Sequence, residues 1–361
     1  MSIFNPCFLL SKNLIFLLLG IFGIGFIIGF HELGHFLFSK LFKINVPSFS
    51  IGFGPKLYQK KFGSTKFSLG AIPLGGYIES DKDSFESKPY YQKMMVIFGG
   101  IAFNLFFAYF VFCLLFIVGI PKTHFLYPIN TSPIVESVSK EAETLGITPG
   151  DKIIAINDKD IMDETSIIFR QLRKSEAKNT TLKILRDEEI VQLELPKEEL
   201  IKAFGTLKIK FRYSSKKGLP LFAAIKKGIQ FTNGYIYLTL FMFKKIFTKR
   251  DVSGVGGPIM IIAATVKSAS EGIKVFLILL ALISVSLAVL NLIPLPILDG
   301  GQALLYTIEA IIRRPLSEKG KEYIFIASWI LMLSLFVLVS FRDIWRLTAP
   351  YLTTIKKLFG N

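Results

Sequence analysis

Cysteine, histidine, tryptophan and acidic charge are all scarce in this chain. Its 361 residues include two cysteines, three histidines and two tryptophans, and charged side chains make up 19% of the total. Cys7 and Cys113 sit in apolar surroundings with no ligand spacing, so neither a disulfide framework nor a thiolate metal module can be read. The low charge, with 51% hydrophobic residues and a mean hydropathy of +0.50, excludes a disordered chain and suits a soluble enzyme poorly. Lys and Arg number 43 against 27 acidic residues, a net charge of +16. In a soluble protein that surplus would invite nucleic acid. Here 34 of the basic residues are Lys and 9 are Arg, although Arg is the better phosphate fork. Lysine surplus is also what the loops of membrane proteins accumulate to fix topology. No nucleic-acid partner is expected, and the bilayer is.

Four stretches are long enough for a hydrocarbon core that takes about 20 helical residues. The first runs from Asn13 to Phe30 without a charge and continues through His31 and Glu32 to Ser39. It is too long for a signal peptide and has no small-residue cleavage site before the charged pair. The second has Val96 to Ile120 as its core, the third runs from Val275 to Leu298, and the fourth from Tyr323 to Phe341. Ile229 to Phe243, 15 uncharged residues between lysine pairs, is short for a span and suits an amphipathic helix at the interface. The segment from Lys40 to Lys93 carries nine lysines against one, Lys12, before the first span. The positive-inside rule therefore puts that segment in the cytoplasm, with both termini and the long 122–274 segment outside.

Two pieces lie off these spans. Lys56 to Lys61, Gly63-Ser64 and Lys66 to Leu69 read as a β-hairpin closed by Pro73, Gly75 and Gly76. Short strands are expected at Ile134–Val138, Lys152–Ile156, Thr180–Leu185 and Ile190–Leu195. Between the first two, Pro149-Gly150-Asp151 turns the chain into a strand that ends at Asn157-Asp158. This Pro-Gly-Asp-x-Ile-x-x-Ile-Asn phrase resembles the signature of the PDZ domain.

The chemistry concentrates in His31-Glu32-Leu33-Gly34-His35. Two of the three histidines flank a glutamate at i and i+4, which puts both imidazoles on one helix face, one turn apart. That spacing ligates Zn²⁺, and Glu32, offset by about 100°, is placed to hold a water and take its proton. Ionisable groups inside an apolar run are expensive and default to function. A catalytic zinc needs a third protein ligand and an open position. His124 is a poor candidate because it follows the second span on the outer side. Asp299 is better, in Asn291-Leu-Ile-Pro294-Leu-Pro296-Ile-Leu-Asp299-Gly300-Gly301, where two prolines break an apolar helix and free backbone groups that protein must satisfy. The alternative for Asp299 is a helix terminus with a solvated carboxylate.

The order of these motifs resembles the site-2 protease family, most closely the bacterial regulator of sigma-E protease type, along nearly the whole chain. The resemblance implies one Zn²⁺ per chain on His31, His35 and Asp299, with Glu32 as catalytic base. It implies that Asn291 contacts the substrate backbone and that Asn104 of a Phe103-Asn104 pair lies near the active site as a second substrate-binding candidate, the alternative for Asn104 being an amide that joins two apolar helices. It also implies that residues 52–78 form a membrane-associated hairpin beside the site, and that Gly254 to Ile259 matches a Gly-Pro-Ile segment ahead of the third span. The best-studied relatives carry two tandem PDZ domains, whereas one is visible here.

The expected architecture is a polytopic α-helical membrane protein with four transmembrane helices, a membrane-associated hairpin and one inserted PDZ-like α+β domain. Residues 1–39 hold the first helix with the zinc motif, 40–95 a cytoplasmic-side loop with the hairpin, and 96–121 the second helix. The PDZ-like domain takes 122–205 and an amphipathic helical region 206–272. The third span with the third ligand takes 273–300, a cytoplasmic loop 301–322, the fourth helix 323–341 and a C-terminal tail 342–361. The expected activity is an intramembrane zinc metalloendopeptidase of a bacterial cytoplasmic membrane. It would cut single-pass transmembrane substrates, either membrane-bound regulators such as anti-sigma factors or remnant signal peptides. The rival is a non-catalytic PDZ-bearing scaffold.

Overall fold

The structure is a computed structural model that describes residues 6–161, 165–174, 176–206, 208–249 and 256–359. The chain forms two units, residues 1–114 with 225–361, and residues 115–224.

The first unit is built on helices. α1 (Pro6–Leu41) leads into a hairpin of β1 (Ser48–Phe62) and β2 (Thr65–Glu79), then a short α2 (Lys82–Glu86) and α3 (Tyr90–Val118). Among the described residues four helices are long and apolar enough to cross a membrane: Leu14–Leu41 in α1, α3, α8 (Ile273–Leu290), and Glu318–Arg346 within α10 (Glu318–Phe359). Two close approaches set how the first three meet. A Cβ on Gly34 of α1 would lie 2.2 Å from the Gly99 carbonyl oxygen of α3, and one on Gly23 would lie 2.5 Å from the Phe276 ring of α8. Small residues at such crossings let helices approach backbone to backbone, the packing that works where lipid removes the hydrophobic drive.

The hairpin is longer than the sequence signals. Both strands run 15 residues, and Pro73, Gly75 and Gly76, expected to close it, lie inside β2. The ladder also folds on itself. Ser48 faces both Lys66 and Glu79, and Ile51 faces both Leu69 and Gly76, so the two ends of β2 flank the start of β1. Phe36 of α1 fills that curl, packing on Phe49 and Phe67 with ring centres 5.5 Å away in each case.

The third apolar segment departs from expectation. Helix ends at Leu290, residues 291–298 form a turn, and a new helix, α9 (Asp299–Ile312), occupies most of the stretch read as a loop. Pro294 and Pro296, two residues apart, remove two amide donors from one helical turn and crowd the carbonyls before them, and the helix breaks there. The turn closes on itself instead, the Gly300 amide donating to the Asn291 carbonyl at 2.6 Å. The tail beyond residue 342 is likewise helical, since α10 continues to Phe359. Asp343 of α10 is buried and caps α7 (Pro258–Glu271), accepting from the amides of Gly257 and Met260 at 3.0 Å each. An anionic acceptor at a helix N-terminus satisfies free amides and complements the dipole. Of the Gly-Pro-Ile match, residues 254 and 255 lie outside the described residues. The 229–243 stretch belongs to a longer α6 (Leu221–Lys249), whose Phe231 stacks edge-on against Phe112 of α3 at 4.5 Å.

The second unit carries an antiparallel sheet in the order β7-β6-β4-β3-β8, with β5 paired to β4. Its strands are β3 (Thr131–Val138), β4 (Lys152–Ile156), β5 (Lys159–Asp160), β6 (Asn179–Arg186), β7 (Glu189–Pro196) and β8 (Ile209–Tyr213). Helices α4 (Thr165–Lys174) and α5 (Lys197–Gly205) were not anticipated; they cover the sheet with Ile168, Leu172 and Phe204, all buried. Alternation along β6 sends Thr180, Leu182 and Ile184 inward, as a period of two requires. At the expected turn Asn157 and Asp158 take φ of 47° and 60°, a left-handed pair that Asn and Asp tolerate.

Asp151 follows the Pro149-Gly150 turn and its side chain is 1% exposed. It accepts from the Thr148 amide at 2.7 Å and from Nε and Nη2 of Arg186, both at 2.8 Å. Burial pushes this carboxyl up, but the Arg186 and Thr148 hydrogen bonds outweigh it and hold it below the ordinary range. A depressed native value gives stability that is full above the unfolded carboxyl's titration and is lost as pH falls through the native one. Arg186→Met should therefore destabilise this unit by about 1–3 kcal/mol at neutral pH, by leaving a buried acceptor unsatisfied. Limited proteolysis of the full-length protein should show faster cleavage within 131–213 at pH 7, with a wild-type difference that shrinks in acid. Equal protection at pH 7 would refute the pairing.

Candidate active site

α1 delivers His31 and His35 on one face, one turn apart, into a cavity of about 700 Å³ inside the helical unit. The opposite wall is the proline turn and the first residue of α9, Asp299. The three groups converge. His31 Nε2 lies 3.2 Å from Asp299 Oδ2 and 3.1 Å from His35 Nε2, and His35 Nε2 lies 3.6 Å from Asp299 Oδ1. Among the described residues these three form one group of potential ligand atoms within 4.8 Å of one another.

The donor set fits a divalent ion. Asp299 Oδ2 is buried without a hydrogen-bond partner, its approach to His31 lacking hydrogen-bond geometry. An orphaned carboxylate oxygen beside two ring nitrogens costs free energy unless a cation takes the lone pairs. Two imidazoles and a carboxylate are a zinc-type ligand set, leaving one tetrahedral position for water or substrate. His35 Nδ1 lies 2.8 Å from the Val96 carbonyl of α3, which can only accept, so the proton sits on Nδ1 and Nε2 keeps its lone pair for the centre.

The six residues expected to act at the site line this cavity: His31, Glu32, His35, Asn104, Asn291 and Asp299. Asn291 Nδ2 lies 3.4 Å from His31 Nε2, and Asn104 Nδ2 lies 3.2 Å from His31 Nδ1. The Glu32 side chain also reaches the hairpin, where a Cβ on Gly76 would come 2.9 Å from its Cγ. Gly76, Tyr77 and Ile78 of β2 form that wall. His124 is not in the group and packs against Phe125.

Sequence reasoning missed the residues that make room. A Cβ on Gly100 of α3 would lie 2.4 Å from His35 Nε2 and 2.7 Å from His31 Nδ1. The signal was present as two small residues, Gly99-Gly100, in an apolar helix, but a glycine pair names no partner. Also missed was the polar brace behind α9. Tyr306 donates to Glu86 at 2.8 Å, Lys93 pairs with the same carboxylate, and Tyr90 and Thr307 hydroxyls meet at 2.9 Å. Burial raises the Tyr306 phenol, and the Glu86 carboxylate that accepts from it adds to the rise, so the tyrosine remains a donor. The brace ties α9, and so Asp299, to α2 and α3.

The site is that of a membrane metalloprotease. A family model described as "Peptidase family M50" matches residues 19–335, and the chain belongs to that family, the site-2 proteases. A protein of Clostridium perfringens named as a candidate zinc metalloprotease is 30% identical over 328 residues, covering 87% of this chain and 94% of its own length. Similarly named proteins of Campylobacter jejuni and Fusobacterium nucleatum are 28% and 29% identical, over 90% and 91% of this chain and 92% and 98% of theirs. The chain is thus a zinc metalloprotease, and its apolar helices give it a membrane location.

Gly100→Ala should remove bound zinc, because the methyl group meets ring atoms and not a flexible chain end. Elemental analysis of the detergent-purified protein reads this directly. Zinc retained at the wild-type ratio would mean that the close approach of α3 to the histidines is not required.

Proposed function

We propose that the protein hydrolyses a peptide bond inside a single-pass transmembrane segment, with His31, His35 and Asp299 holding zinc and Glu32 acting as general base. One observation carries this reading: three ligand atoms of the right chemistry converge in a cavity walled by the membrane-spanning helices α1, α3 and α8. Zinc held there supplies a Lewis acid for the scissile carbonyl and acidifies a water. Glu32 accepts the proton of the attacking water and passes it to the leaving amine. Asn291 presents an amide N–H beside the centre, where the backbone of the substrate would lie. A transmembrane helix hides its carbonyls in its own hydrogen bonds and must unwind before cleavage. The Gly76–Ile78 wall, against the Glu32 side chain, suits capture of the unwound strand by β-addition. Toward the start of α1 the packing turns aromatic, with the ring centres of Phe26 and Phe107 5.6 Å apart and those of Phe30 and Phe103 5.3 Å apart.

The natural substrates in this reading are membrane-bound regulators such as anti-sigma factors, or remnant signal peptides, in a bacterial cytoplasmic membrane. Nine lysines between Lys40 and Lys93 support a cytoplasmic position for the hairpin, which leaves both termini and residues 122–205 outside. We read residues 122–205 as a PDZ-like domain that limits access of substrates with bulky outer parts.

The test uses protein purified in detergent and returned to liposomes with a single-pass peptide substrate. Wild type should carry about one zinc per chain. His31→Ala and Asp299→Asn should lose it, whereas Glu32→Gln should keep zinc and lose at least 100-fold in cleavage rate. Mass spectrometry should place the cut within the apolar segment. A Glu32→Gln variant that cleaves at the wild-type rate, or cuts confined to residues outside the bilayer, would overturn the proposal.

A further inference from the structure

We infer that Asn104 is a positioning residue for His31, acting through its amide oxygen on the ring nitrogen that faces away from the metal centre, and not a contact to substrate. The inference rests on the zinc site proposed above. A histidine can ligate through Nε2 only if its proton is on Nδ1, and a partner for that N–H fixes both tautomer and ring plane. For His35 the partner is the Val96 carbonyl. For His31 the side chain at Nδ1 is Asn104, at 3.2 Å, wholly buried on α3.

As placed, the amide turns its NH₂ toward His31 Nδ1 and leaves its own oxygen buried without a partner. That orientation would require a lone pair on Nδ1, hence a proton on Nε2, which disables His31 as a ligand. The amide has little room to move away from the ring, because α3 passes close by: a Cβ on Gly100, one turn earlier, would lie 2.7 Å from His31 Nδ1. Rotating the amide by 180° exchanges two atoms of nearly equal size and removes the conflict. Asn104 Oδ1 then accepts from Nδ1–H, and Nε2 turns its lone pair to the point shared with His35 and Asp299. Ser284 of α8 holds the residue in place, donating to the Asn104 carbonyl at 2.9 Å, so the amide has a fixed base. Asn104 thus does for His31 what the Val96 carbonyl does for His35, and α3 orients both ligands that α1 presents.

The test compares zinc affinity, by competition with a chelator, in wild type, Asn104→Leu, Asn104→Asp and His31→Ala, with thermal melting to confirm folding. Leucine keeps the volume and removes the acceptor; affinity should fall about 10–100-fold. Aspartate keeps an acceptor at the same reach and has no N–H; affinity should stay within about threefold of wild type or rise, with cleavage retained. His31→Ala reports on the zinc site itself. If it binds zinc as wild type does, the site assignment has failed, and with it this inference. With His31→Ala defective, wild-type affinity in Asn104→Leu would overturn the positioning role alone. So would an Asn104→Asp variant that binds zinc as poorly as leucine does, or one that keeps zinc but loses cleavage, since each outcome requires the amide N–H.

Discussion

The whole arrangement depends on the backbone contact between α1 and α3. Gly34 and Gly99 let the two helices touch, and Gly100 leaves the space that the imidazoles fill. Only at that separation can Val96 and Asn104 of α3 reach the outer nitrogens of the two histidines. In lipid there is no water to satisfy a stray imidazole or carboxylate, so each polar group in the cluster must find its partner in protein. The site is therefore a set of mutual satisfactions within one apolar unit, and loosening the crossing costs several of them together.

The second wall is built by an interruption. Pro294 and Pro296 stop the third apolar helix and force a turn whose backbone bonds close locally, and the chain restarts with Asp299 at a helix N-terminus. The interruption converts a residue that would lie along a helix flank into one that points from a helix end. The brace of Glu86, Lys93 and Tyr306 anchors the new helix from behind. Asp343 does comparable work at α7, and its carboxylate is a fixed point for α10, a helix whose apolar stretch is otherwise largely exposed. Charge in this protein is sparse, and in the helical unit the buried Asp343 joins two helices.

The folded-over hairpin brings β2 back against α1, so that Gly76 lies beside Glu32 while the hairpin turn stays remote. Glycine at that position leaves the carboxylate room. The antiparallel unit of residues 115–224 obeys ordinary soluble rules, with an alternating sheet face covered by two helices and one buried ion pair at its signature turn.

By itself the sequence determined what is local. Hydropathy summed over 20 residues marks helices for lipid, the i, i+4 histidines share a face on any helix, and two prolines two residues apart, Pro294 and Pro296, remove two donors from one helical turn. The tertiary structure decided what depends on distant partners. That Asp299, and not His124, completes the cluster follows from how α1, α3 and α9 meet, across some 264 positions between His35 and Asp299. The glycines that permit the crossing, the doubled-back register of the hairpin and the helix hidden in residues 301–312 carry weak local signals, because each is fixed by what it packs against. Asn104 is the clearest case. One amide in an apolar helix states only that a partner exists, and the fold alone supplies the imidazole it faces.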